Sequence, residues 1–268
     1  MDKQKIILKE IGDKRVYYDR QKDIISSEKN SSVNNLDYTR TLNENIYDTC
    51  IEVTTACNQF CLNCFSNSSP EILGKELSFK EIEQIINERS ETRVRVSITG
   101  GEPFLHSNID KIIELPKRNT KLNFVINSNG NVPIIQKQVN LLRENNWLIA
   151  LSIHGNEKNH NLYVGTNSYN TIINNLKCLS EKVDFHIYSV INRYTTIDDI
   201  NHLFNLRETY RGCFLRFILP RNFGRYDCNY KDSVISYLKD RIDDLSGIKS
   251  NSSNTEFISV NKEIKLTN

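Results

Sequence analysis

Thr49-Cys-Ile-Glu-Val-Thr54-Thr-Ala-Cys57-Asn-Gln-Phe-Cys61-Leu-Asn-Cys64 is a short β-branched run that passes directly into three cysteines. Its first half reads as a strand. Its second half holds three thiols within eight residues, close enough to converge on one soft metal centre on the loop that follows the strand. Thiolates favour zinc or iron-sulfur chemistry over magnesium or calcium. Structural zinc takes four protein ligands, often as two separated pairs, whereas a cubane iron-sulfur cluster held by three cysteines keeps one iron open to an outside ligand. The spacing alone leaves open a closed zinc knuckle whose fourth ligand is a distant Cys or His.

On the C-terminal side of this run, β-branched stretches alternate with stretches of helical period. Strands are expected at 49–54, 94–99, 122–127, 148–153, 185–191 and 214–219. Ser78 with Glu81 forms a capping box ahead of Phe79, Ile82, Ile85 and Ile86, and Pro133 opens a helix with Ile135, Val139 and Leu142 on one stripe. Tyr169, Ile172, Ile173, Leu176 and Leu179 mark a further helix, as do Ile197, Ile200 and Phe204. Six β-α units of about 30 residues each fit the length of a βαβ element. The expected fold class is therefore α/β: a partial (β/α)6 barrel over residues 46–225, with ligands at the carboxyl ends of its strands. Residues 1–45 read as a small N-terminal β-hairpin around Gly12-Asp13 followed by a loose linker. Residues 226–268 read as a helical and irregular C-terminal extension, its helix carrying Val234, Leu238, Ile242 and Leu245, and residues 256–266 as a short strand or frayed tail.

Composition narrows the class of function. With 38% apolar and 25% charged residues the 268-residue chain is an ordinary globular protein, long enough for a core without disulfide staples. The 35 Lys and Arg against 33 Asp and Glu supply no electrostatic reason for a nucleic-acid or anionic-membrane partner. No apolar run reaches spanning length and Met1 to Glu10 has no signal-peptide core, so the expected address is cytoplasmic, where a tight cysteine cluster is a metal site before it is a disulfide.

The second strand runs into Gly100-Gly101-Glu102-Pro103, where paired glycines let backbone approach a ligand and a carboxylate stands ready to accept from an ammonium group. The cysteine triad followed one unit later by Gly-Gly-Glu-Pro resembles the radical S-adenosylmethionine (radical SAM) superfamily, in the style of its peptide-modifying members. The resemblance covers about residues 46–225. It implies that Cys57, Cys61 and Cys64 ligate a 4Fe-4S cluster and that S-adenosyl-L-methionine chelates the fourth iron. Gly100, Gly101 and Glu102 would then hold the methionyl amine. It further implies reductive cleavage of that cofactor to a 5'-deoxyadenosyl radical that abstracts hydrogen from a substrate, with electrons from a low-potential donor such as flavodoxin or ferredoxin.

Later segments fit the same likeness. Ile126-Asn-Ser-Asn-Gly130 is similar to the turn after the family's third strand and Leu151-Ser-Ile-His-Gly155 to the end of its fourth, which makes Asn127 and Ser152 cofactor contacts. Asn192, closing the fifth strand, takes a position where similar enzymes place another. His154 stands where many relatives have Asp and is a candidate to touch substrate or donate a proton; a hydrogen-bonded turn histidine is the plainer reading. Cys228, in the loop after the last strand, is a candidate thiol hydrogen donor. Val164 replaces an arginine common in peptide-modifying relatives, and Asn63 replaces a frequent aromatic before the third cysteine. Only Cys213 and Cys228 lie beyond residue 200, so no SPASM-type domain with further clusters is expected. The leading expectation is a peptide or protein substrate. A small-molecule or sugar substrate, activation of a glycyl-radical partner, and a zinc-binding interaction module are the alternatives.

Overall fold

The computed structural model describes residues 6–11, 14–20, 24–29, 47–210, 214–220, 224–227, 229–241, 255–261 and 264–267. Six parallel strands form its centre: β4 (Asp48–Thr54), β5 (Arg95–Gly100), β6 (Asn123–Ser128), β7 (Leu148–Ser152), β8 (Asp184–Val190) and β9 (Phe214–Ile218). They pair in chain order, each with the next, as strands joined by short connections commonly do. The helices between them are α1 (Phe79–Arg89), α2 (Ile109–Ile113), α3 (Gln136–Glu144), α4 (Glu157–Val164), α5 (Tyr169–Leu179) and α6 (Ile197–Thr209), followed by α7 (Asp232–Arg241). Their apolar stripes pack on the outer face of the sheet. Ile82 and Ile86 of α1, Val139 and Leu142 of α3, and Ile172, Leu176 and Leu179 of α5 are buried in one core with Ile51, Ile98, Ile126 and Ile149 of the strands. The Ser78 capping box forms as the sequence anticipates, Ser78 Oγ accepting from Glu81 N–H and the Glu81 carboxylate from Ser78 N–H at 2.8 Å. The expected partial (β/α)6 barrel is present.

Three elements differ from the sequence reading. The helix expected to open at Pro133 opens at Gln136, and Ile135 stands outside it, more than half exposed. The N-terminal unit has a third strand, so β1 (Ile6–Ile11), β2 (Lys14–Asp19) and β3 (Ile24–Lys29) form an antiparallel sheet where a hairpin and linker are expected. At the other terminus β10 (Thr255–Ile258) lies parallel to β4 and β11 (Ile264–Thr267) antiparallel to β10, extending the main sheet to eight strands. Ile242 and Leu245 lie outside the described residues.

The N-terminal sheet sits under the amino ends of the barrel strands. Val16 and Tyr18 pack with Tyr47 and Val94, which immediately precede β4 and β5. Arg20 bonds Asp184 at 3.2 Å and the carbonyl of Asn146 at 2.8 Å. Arg95 forks onto Asp48 at 3.0 and 2.7 Å, with its guanidinium over the Tyr18 ring. The opposite end, where the strands finish, is left for ligands. Among the described residues no helix is long and apolar enough to cross a membrane.

Candidate active site at the carboxyl ends of the strands

A cavity of about 360 Å3 opens at that end, and Cys57, Cys61 and Cys64 line it together with Gly100 and Gly101. Asn127, Ser152 and Val190, at the ends of β6, β7 and β8, form its floor, and His154 and Tyr163 one wall. The thiol loop is fastened at three places. Phe60 and Leu62 donate their N–H groups to the carbonyls of Val164 and Tyr163 at 2.8 and 3.1 Å, docking the loop on the last turn of α4. Cys64 exchanges both backbone hydrogen bonds with Arg225, each 2.9 Å. The Arg225 guanidinium donates to the carbonyls of Cys61 at 2.7 Å and Ser68 at 2.8 Å. Gly224 is required there: its φ is +59° and a Cβ would stand 2.2 Å from the Cys64 carbonyl oxygen.

The close approach that the paired glycines make is to the thiol loop: a Cβ on Gly100 would stand 2.1 Å from Thr54 O and one on Gly101 2.2 Å from Ala56 O. Gly101 N–H donates to Thr54 O and Glu102 N–H to Ala56 O, both at 2.8 Å, so the β5 loop lies directly against the start of the thiol loop. Glu102 itself does not line the cavity. It is fully buried, and its carboxylate accepts from Phe104 N–H at 3.0 Å, Ser128 Oγ–H at 2.9 Å and Asn129 N–H at 2.7 Å, holding the β5 and β6 loops together. Burial, against these three bonds, raises its carboxyl group to about 7. The folded chain therefore retains a proton there that the unfolded chain releases near 4.3. The sign follows: this group favours folding below pH 4, and its contribution is lost as pH rises through about 7. Thermal melts of the metal-free protein should show stability falling by on the order of a few kcal/mol from pH 4.5 to 8 on this account. Glu102→Gln should flatten that slope, and an unchanged slope in the variant would assign it to other groups.

Burial also raises the Cys57 and Cys61 thiols. Cys57 rises to about 11, opposed by hydrogen bonds from the Gln59 backbone and the Asn129 side chain. Cys61 rises further, its burial reinforced by the charges of Cys64 and Cys57. Loading a metal centre on these thiols therefore releases protons. His154 is 5% exposed, and burial, with His160 beside it, lowers its imidazole well below the ordinary range. Its Nδ1 accepts from Val190 N–H at 3.0 Å, which leaves the proton of the neutral ring on Nε2. His154 N–H in turn donates to His160 Nδ1 at 3.2 Å, and His160 Nε2 meets Ser168 Oγ at 3.0 Å, as does Gln59 Nε2.

The structure thus brings together Cys57, Cys61, Cys64, Gly100, Gly101, Asn127, Ser152 and His154. It does not bring Asn192 to the cavity: Asn192 Nδ2 donates to Val190 O, its Oδ1 accepts from Tyr194 N–H, and it is 1% exposed, a buried turn cap. Cys228 lies outside the described residues. Cys50 lines the same cavity from β4 and its thiol is raised by burial. Its period-two position with Asp48, Glu52 and Thr54 could have shown this; Asn129 lies within the turn the sequence marks, without a role assigned to it, and Arg225 carries no local signal.

The donor set fits a cluster and its cofactor. Three thiols line one cavity from one loop, and thiolates are the protein ligands of iron-sulfur cubanes. Asn63, which lines the cavity, has its Oδ1 taken by Asp227 N–H at 2.6 Å, and its buried Nδ2 has no partner among the described residues.

The sequence pattern of the Radical SAM superfamily matches residues 51–206. The cysteine-type anaerobic sulfatase-maturating enzyme of Clostridium novyi is 29% identical over 204 residues, covering 66% of this chain and 53% of the relative. The serine-type enzyme of Bacteroides thetaiotaomicron is 23% identical over 231 residues, 68% of this chain and 56% of the relative. The chain thus spans about half the length of the curated relatives it matches. In architecture it is similar to Streptococcus suis SuiB bound to its precursor peptide SuiA, with a TM-score of 0.72 at 14% identity over 98% of this chain and 82% of that one. SuiB bound to S-adenosylmethionine has a TM-score of 0.69, also at 14% identity, over 96% of this chain and 72% of that one.

Proposed function

Because the chain belongs to the radical SAM superfamily, we propose that it reductively cleaves S-adenosyl-L-methionine and modifies a peptide or protein, by a reaction such as epimerisation or cross-linking. The observation that carries the reading is the single cavity that joins three thiols to a paired-glycine turn. When bound there, a 4Fe-4S cluster with S-adenosylmethionine supplies a 5'-deoxyadenosyl radical that abstracts hydrogen from the substrate. The chain's own residues do the rest. Cys57, Cys61 and Cys64 would hold the cluster, and Gly100 and Gly101, which line the same cavity, would receive the methionyl amine. Ser152 and Asn127 offer polar contacts to the cofactor from the strand ends. Glu102 acts on the amine only through the loop it fixes, since all its acceptor bonds are internal. His154, neutral with its proton on Nε2, serves as a hydrogen-bond donor to cofactor or substrate and not as an acid at neutral pH.

The peptide reading is supported by the sulfatase-maturating relatives and by the likeness to SuiB with a precursor peptide. An extended leader segment adding to the edge of the N-terminal sheet would lie at the amino ends of the strands, the far end from the cavity. The seven-residue strands β4 and β8 span about 23 Å at about 3.3 Å per residue. At least about seven extended residues must therefore separate such a leader from the modified position. A low-potential one-electron donor, flavodoxin or ferredoxin, completes the reaction.

Anaerobic reconstitution with iron and sulfide, followed by dithionite and S-adenosylmethionine, should release 5'-deoxyadenosine. Peptides encoded beside the gene should then lose mass, or take up deuterium from heavy water on epimerisation. A colourless zinc protein releasing none would overturn the enzyme reading, and modification of a free metabolite alone would overturn the peptide reading.

A further inference from the structure

The turn after β6 reaches into the thiol loop through one side chain, Asn129. Its Oδ1 accepts from Asn131 N–H at 2.8 Å, which fixes the orientation of the carboxamide. Its Nδ2 then has two hydrogens to place and two acceptors in reach: Asn58 Oδ1 at 3.0 Å and Cys57 Sγ at 3.6 Å. Asn58 is fastened in turn by donating to Asn131 O at 2.9 Å. The backbone N–H of Asn129 donates to the fully buried carboxylate of Glu102 at 2.7 Å. Both ends of the amide and its backbone are thus committed, and among the described residues the acceptor left for its second hydrogen is the Cys57 sulfur.

We propose that Asn129 is a positioning residue for the cluster: its side-chain amide donates a hydrogen bond to the Cys57 sulfur and sets the cluster's reduction potential upward. This rests on the reading of Cys57, Cys61 and Cys64 as cluster ligands. An N–H directed at a ligating thiolate withdraws charge from it, and the reduced cluster, carrying one more electron, gains more from that withdrawal than the oxidised one. The same side chain links the cluster to the paired-glycine turn, because Glu102, two residues from Gly100, holds Asn129 by its backbone. Neither Asn58 nor Asn131 points a donor at a thiol, so the tuning is assigned to one residue of the Asn-rich turn and not to the turn as a whole.

The test uses the full chain, reconstituted anaerobically with iron and sulfide and titrated electrochemically with the reduced cluster followed by electron paramagnetic resonance. Asn129→Ala should bind iron and sulfide as the wild type does, yet titrate at a lower potential. Asn58→Ala, which loosens the same turn but keeps the amide on sulfur, should titrate at the wild-type value. With asparagine-selective 15N labelling, a hyperfine coupling in the wild-type reduced cluster should vanish in Asn129→Ala. Should Asn129→Ala take up no iron, Asn129→Ser takes its place. Wild-type potential and coupling in the variant, or equal shifts in the Asn129 and Asn58 variants, would overturn the assignment. A wild-type chain that assembles no cluster would instead overturn the functional reading on which it rests.

Discussion

Cys57→Ser, Cys61→Ser and Cys64→Ser should each lower the release of 5'-deoxyadenosine by more than about a hundredfold, beyond the roughly 10–100-fold that loss of an outer-shell partner costs at a metal site. The three cysteines line one cavity from one loop. Cys57 accepts from the Asn129 amide at 3.6 Å and Cys64 from Ser68 N–H at 3.3 Å, while the Cys61 thiol donates to Gln59 Oε1 at 3.5 Å, a bond given up when that thiol is deprotonated. Among the described residues the other thiols are Cys50, which lines the same cavity from β4 but is not on the thiol loop, and Cys178, exposed on α5. Iron and sulfide per chain, visible absorbance and deoxyadenosine should fall together while circular dichroism stays that of the wild type. Cys178→Ser is the control and should leave all four alone. A triad variant that retains its iron and its turnover would remove the premise of the proposed function.

The second large effect is expected of Gly101→Ala. An added Cβ would sit 2.2 Å from the carbonyl oxygen of Ala56 and 2.9 Å from the Cys57 Cβ, and backbone has no flexible end that can move aside. Relief requires parting the β5 turn from the thiol loop, which breaks the 2.8 Å bonds from Gly101 and Glu102 to Thr54 and Ala56. Overpacking of this kind costs about 1–3 kcal/mol, a fall in melting temperature on the order of 5–10 °C for a domain this size. Because the displaced neighbour is Cys57, cluster uptake should fall in parallel, which a steric effect elsewhere in the barrel would not produce. A variant that melts at the wild-type temperature would show that the two loops are not in the contact described.

Much of this was legible in the residues. The six barrel strands fall within one residue of the expected bounds at each end, because parallel strands buried on both faces leave β-branched runs that polar helices interrupt. Cys57, Cys61 and Cys64 announce themselves by their spacing, while Gly100, Gly101, Asn127, Ser152 and His154 are legible through the family resemblance; the strand ends of this architecture bring all of them to one cavity. The strand Ile24–Lys29 was not, since IISSEK has too few apolar residues to announce itself and acquires its role only by pairing with β2. The C-terminal strands likewise owe their place to β4, some 200 positions earlier. Glu102 and Asn192 show the limit within the site. Sequence placed them near the ligand, but whether a carboxylate faces a cavity or three buried N–H and O–H donors is settled by loops far apart in the chain.

Among the described residues β4 pairs with β5 and β10, and β9 with β8, so no ladder described joins the first and last of the six barrel strands. The loops beyond them are joined by the Cys64–Arg225 exchange, the two guanidinium bonds to Cys61 and Ser68, and the bond from Asp227 N–H to Asn63. This is a hasp across a split ring, and it is fastened to the ligand-bearing segment itself. Springing the ring and slackening the metal's anchorage are consequently one event, and any force that prises the seam apart is felt first at sulfur.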